Sequence, residues 1–120
     1  TAVSVTAYTD LSMGAVSVDK VTFPGRISWS GIGVVGAGNP TTGGYRIKRY
    51  TSVEYDAASP NWNANFDAMG TLISDASDQT PSFDDPDWGA GLTVGNNYYY
   101  VVKGYNGSSV SYTSSAVVTR

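Results

Sequence analysis

GLTVGNNYYYVVKGYN, residues 91–106, sets three consecutive tyrosines behind a turn bounded by Gly91 and Gly95. Successive side chains of a strand point to opposite faces. Read as a strand, the run puts Tyr98, Tyr100 and Val102 on one face and Tyr99, Val101, Lys103 and Tyr105 on the other. One set packs inside, and the other is left for solvent or a partner. Asn106-Gly107 follows, and both residues tolerate the positive φ that a type I′ turn needs at its central positions. The next segment, SSVSYTSSAVVT (108–119), alternates again, so residues 97–119 read as an antiparallel hairpin.

The same period of two recurs upstream. Val3, Val5 and Ala7 alternate first, then Val16 and Val18, then Val21, Phe23, Ile27 and Trp29 around Pro24-Gly25. GGYRIKRY (43–50) places Tyr45 and Ile47 on one face and Arg46, Lys48 and Tyr50 on the other, and GTLIS (70–74) is a further short strand. Such segments separated by turn-rich stretches predict a sandwich or barrel. Only 14% of the residues are charged, well below the usual quarter, while Val, Thr and Tyr favour strands. At 120 residues the chain has the length of one domain, enough to bury roughly two-thirds of its unfolded surface. Two long loops are expected, at 31–44 and from Glu54 to Trp88. The second carries eight of the ten acidic residues together with Trp62, Phe66, Phe83 and Trp88. Those aromatics predict that it folds back on the sheets, with a helical turn within DAASPNWNANFDAM (56–69).

Several chemistries are disfavoured by composition. Without cysteine there is no disulfide, thiolate nucleophile or cysteine zinc site, and without histidine the usual general base is missing. A net charge of −3 argues against nucleic acid as a partner, and no apolar run approaches the length of a membrane span. The chain starts at Thr1, which suggests a processed product.

ISWSG (27–31), GYRIKRY (44–50), the opening stretch and the Ser-rich close resemble a fibronectin type III domain. The likeness rests on Trp29, Tyr45 and Ile47, and most specifically on Leu92 followed six residues later by Tyr98 and then by Tyr100, Val102 and Gly104. It covers about residues 15–50 and 90–119. It departs from the family in lacking a first-strand proline and in carrying Val94 where proline is common. The resemblance implies an all-β, immunoglobulin-like antiparallel sandwich of about seven strands over residues 13–120. Residues 1–12 would be an N-terminal extension or extra strand, and the middle loop would be long and acidic. It further implies that Tyr98 is a tyrosine corner, its hydroxyl bonded to upstream backbone. Tyr100 and Val102 then face inward beside Trp29, Tyr45 and Ile47.

On this frame Arg46, Lys48, Tyr50, Tyr99, Lys103 and Tyr105 share the outward surface of one sheet. Tyrosine and arginine are enriched at interfaces, although cross-strand pairing on an exposed sheet is the simpler explanation of them. Trp62 and Trp88 are candidates for stacking on a sugar, against the alternative that both are core plugs. Asp84, Asp85 and Asp87 form a calcium candidate on charge alone, against the alternative of aspartates closing turns. Asn106-Gly107-Ser108 matches a glycosylation sequon that the hairpin turn already explains. The expected function is a non-catalytic structural or interaction module at an extracellular, filament or virion surface. It would contact protein partners, copies of itself included, with a glycan-binding accessory module as the alternative. No cofactor is implied.

Overall fold

The computed structural model describes residues 13–29, 43–76, 82–106 and 109–120. The proposed extension at 1–12 and most of the 31–44 loop lie outside the described residues. The described residues form eight strands and two short helices: β1 (Ser17–Asp19), β2 (Arg26–Ser28), β3 (Gly43–Thr51), α1 (Ser52–Ala58), α2 (Trp62–Asn65), β4 (Thr71–Ala76), β5 (Ser82–Asp84), β6 (Asn97–Asn106), β7 (Ser109–Ser114) and β8 (Val118–Thr119). They make two antiparallel sheets, ordered β1-β2-β5 and β4-β3-β6-β7, with β8 also on β6. No helix among the described residues is long and apolar enough to cross a membrane.

The main core lies between the sheets. Val16, Ile27 and Trp29 meet Tyr45, Ile47, Tyr98, Tyr100, Val102 and Val118, with Trp88 and Leu92 added from the segment before β6. Each fully buried side chain of this kind contributes about 1.5–3 kcal/mol of transfer free energy. The inward set is the one expected. Tyr98 is buried beside Leu92, and its hydroxyl accepts the Thr93 N–H at 3.1 Å, five residues upstream.

The hairpin of β6 and β7 runs from Val101↔Ser114 to Asn106↔Ser109. Asn106 therefore pairs within the ladder instead of standing at the centre of a turn, and Gly107 and Ser108 lie outside the described residues. The expected 109–119 strand divides at Ser115, whose hydroxyl accepts the Tyr100 N–H at 3.0 Å while its own N–H donates to the Tyr100 carbonyl at 2.8 Å. The side chain thus takes a backbone group's place in the ladder.

Val21 and Phe23 depart from the expected strand and are both exposed. The Asp19 carboxylate accepts the N–H groups of Val21, Thr22 and Phe23 at 2.9–3.2 Å, which curls the chain into a turn. Such side-chain capping competes with a strand ladder. The turn ends at Gly25, with φ of 86°, where a Cβ would stand 2.6 Å from the Trp88 Cβ. Backbone hand and close packing therefore both require glycine there.

Candidate functional site

The register confirms how the side chains divide across the large sheet. Arg46 lies opposite Lys103, Lys48 opposite Val101 and Tyr50 opposite Tyr99, all on the face turned away from the main core. That face is not the open surface expected, because residues 52–70 cross it as a roof. Tyr50 is fully buried and joins Ala58, Phe66 and Val101 in a second core, flanked by Tyr55, Trp62, Met69 and Tyr112. Lys48 is buried as well. Tyr99 stacks on Tyr55 with ring centroids 3.8 Å apart and planes 11° apart. The side chain of Tyr105 lies outside the described residues.

The roof begins at a capping box. The Thr51 hydroxyl accepts the Glu54 N–H at 3.2 Å, and the Glu54 carboxylate accepts the Thr51 N–H at 2.9 Å. This reciprocal pair satisfies two orphan donors and starts α1 directly off the end of β3. The Tyr50 hydroxyl donates to the Phe66 carbonyl at 2.7 Å, tying the roof to the sheet. Burial first, then Asp67 and Glu54, push that phenol well above its ordinary range.

The cations expected to meet a partner instead converge on the roof. Arg46 donates to the Asp67 carboxylate at 2.8 Å, Lys103 lies 3.8 Å from it, and the Lys48 ammonium donates to the Asp67 carbonyl at 3.1 Å. Burial alone would raise the Asp67 carboxyl, but Arg46, then Lys103 and Lys48, outweigh it and hold it below its usual value. Desolvation pushes the Lys48 ammonium down.

Of the two candidate stacking residues, Trp88 is a core plug. It is 6% exposed, with the Arg120 guanidinium 5.0 Å from the centre of its ring. Trp62 is half-buried, edge-on to Tyr50 at 5.3 Å, and it borders an open cleft of about 460 Å³. Pro60, Asn61, Asn63, Ala64, Asn65 and Tyr112 line the rest.

The calcium candidate comes apart into ion pairs. Asp84 binds Arg26 at 2.8 Å on the outer face of the small sheet. Asp85, whose side chain is fully buried, accepts from Arg49 at 2.6 Å and from the Tyr100 hydroxyl at 2.5 Å, while its other oxygen takes the Asp87 N–H at 2.9 Å. The Asp87 carboxylate is 3.2 Å from the same guanidinium. These oxygens are engaged by arginine, tyrosine and backbone, and Asp84 stands apart from the other two on Arg26. Among the described residues no three acidic groups gather to hold a metal. Burial works against the Arg49 charge, and Asp85 and then Asp87 outweigh it, raising the guanidinium above its ordinary value. Burial and the Asp85 contact drive the Tyr100 phenol strongly upward.

The sequence reading grouped Arg49 with the basic residues Arg46, Lys48 and Lys103 of one sheet and missed its inward position. Its register partner is Tyr100, so it points into the main core, between outward-facing Lys48 and Tyr50. The signal available was alternation itself, which puts a basic residue at an inward position and therefore calls for a buried acid. No protein-family model matches the chain, and no curated protein sequence matches it.

Proposed function

We propose that this chain is a fibronectin type III-like domain serving as a non-catalytic structural or interaction module at an extracellular, filament or virion surface. The strand arrangement carries the reading. The small sheet is β1-β2-β5, and the fourth strand sits beside the third in β4-β3-β6-β7. In constant-type immunoglobulin domains, by contrast, the fourth strand joins the first, second and fifth. The Tyr98 corner adds to that likeness. The absence of catalysis is supported by the engagement of Asp67, Asp84, Asp85 and Asp87 with cations of the fold.

Partner contact falls to what the roof leaves open. The large sheet ends at β4 and β7, and sheet edges present unpaired backbone groups that a second chain can extend. Val110, on β7, is 44% exposed. Copies of this chain are the partner tested first, by sedimentation velocity at rising concentration in low and high salt. Reversible association abolished by Val110→Lys is the expected outcome, since lysine on an edge strand blocks further pairing. A monomer at every concentration and salt overturns the self-contact reading.

A further inference from the structure

The roof cleft is marked by what its side chains leave undone. Its lining is uncharged: Trp62 and Tyr112 supply aromatic surface, and Asn61, Asn63 and Asn65 supply carboxamides. Asn65 donates to the Ala58 carbonyl at 3.1 Å, which steadies its orientation and leaves its side-chain oxygen available. Among the described residues, the Trp62 indole N–H, the Tyr112 hydroxyl and the side-chain carboxamides of Asn61 and Asn63 have no hydrogen-bond partner. The aromatic walls are held from behind. Trp62 packs on Tyr50 and Tyr55, at 5.3 and 5.5 Å, and Tyr112 packs on Phe66 at 5.4 Å. Side chains already fixed by packing lose little freedom when they take up a ligand.

We infer that the cleft bordered by Trp62 and Tyr112 is a binding site for a neutral saccharide. A pyranose presents an apolar C–H face, which suits an aromatic ring, and a rim of vicinal hydroxyls that both donate and accept. A carboxamide supplies a donor and an acceptor side by side, so it matches such a rim without any charge. An anionic sugar would find no cation in the lining. The cleft's volume lies in the range of small-ligand sites. All-equatorial pyranoses have the flattest apolar faces, which makes β-linked glucose units the natural probe. The inference deepens the interaction-module reading and rests on its non-catalytic character, since the sugar is held and not cleaved.

The test is an NMR titration of the isotope-labelled chain with cellotriose and lactose, with glucuronic acid and a polyproline peptide in parallel. The expected result is saturable shifts confined to the Trp62 indole, Tyr112 and the Asn61, Asn63 and Asn65 amides. Asn63 is exposed, so Asn63→Ala leaves the fold unchanged and weakens binding about fivefold or more, read at the Trp62 indole. Trp62→Phe keeps an aromatic ring against Tyr50 and weakens binding similarly, read at the asparagine amides. No shift in the cleft with either neutral sugar up to about 20 mM overturns the inference, since weaker binding is no longer a site. Shifts from the polyproline peptide alone also overturn it, because they assign the groove to a peptide. Both of these outcomes leave the interaction-module reading in place. Shifts accompanied by cleavage of cellotriose keep the site and overturn the non-catalytic reading instead.

Discussion

Lys48 and Arg49 are neighbours in sequence, yet they serve ion clusters on opposite faces of one sheet. Arg49 points into the main core, where its side chain is 9% exposed and its partner Asp85 is fully enclosed. Lys48 points to the roof side, where Arg46 and Lys103 also reach toward Asp67, whose side chain is 57% exposed. Charge types and contact distances are similar in the two clusters. Solvent is what separates them. Water screens the exposed Asp67 carboxylate and can take the place of a partner it loses, whereas Asp85 and Arg49 can be satisfied only by each other and by their fixed neighbours. The core cluster should therefore be costly to break, and the roof cluster should behave as an adjustable surface contact.

The largest expected effect follows from Asp85→Ala. That change strands the Arg49 guanidinium with only the partly exposed Asp87 and deprives the Tyr100 hydroxyl of its acceptor. Removing one partner of a buried pair costs about 3–5 kcal/mol. Urea unfolding should show a loss of that order, and a loss below ~1 kcal/mol would mean that water reaches the cluster and the contrast between the faces is not one of burial. Tyr100→Phe breaks the same cluster more gently. It deletes one hydroxyl bond to a charged acceptor and leaves the ring in the core, so the expected cost is about 1.5–3 kcal/mol. If both variants lose equal stability, the Arg49 pair contributes nothing beyond the hydroxyl.

The two faces were unequally legible in the sequence. Among the described side chains of 97–105 and 43–50, alternation sorted inward from outward residues correctly, because β3 and β6 are central strands with a continuous register from Gly43↔Asn106 to Thr51↔Tyr98. What alternation cannot tell is whether an outward face meets water. Tyr50 and Lys48 are buried by residues 52–70, a segment whose fold depends on a capping box, Thr51 to Glu54, that went unread in the sequence. The aromatics Trp62 and Phe66 did signal that this segment folds back, and the helical turn expected within 56–69 corresponds to α2. The acidic run misled for a different reason. Clustering in sequence suggested a common ligand, but Asp84 sits on a strand facing outward, whereas Asp85 turns in just after it. Adjacent residues at a strand end part company in that way.

The smallest effect belongs to the roof, and it carries a pH signature. Arg46, Lys103 and Lys48 hold the folded Asp67 carboxyl below its ordinary value of 3.8. A carboxyl lowered by folding binds its proton more readily in the unfolded chain. Its contribution is therefore complete above pH 3.8 and is lost as pH falls through the lower folded value. Asp67→Asn should remove that contribution, and exposure limits it to about 0–1 kcal/mol at neutral pH. Comparing the wild type and the variant by urea midpoints isolates Asp67 from the other carboxylates. Their difference should be present at pH 7, vanish well below pH 3.8, and shrink in about 1 M salt, where the screening length is ~3 Å. A difference that survives both treatments would mean that the roof shields Asp67 from solvent, and the two clusters would then differ in degree only.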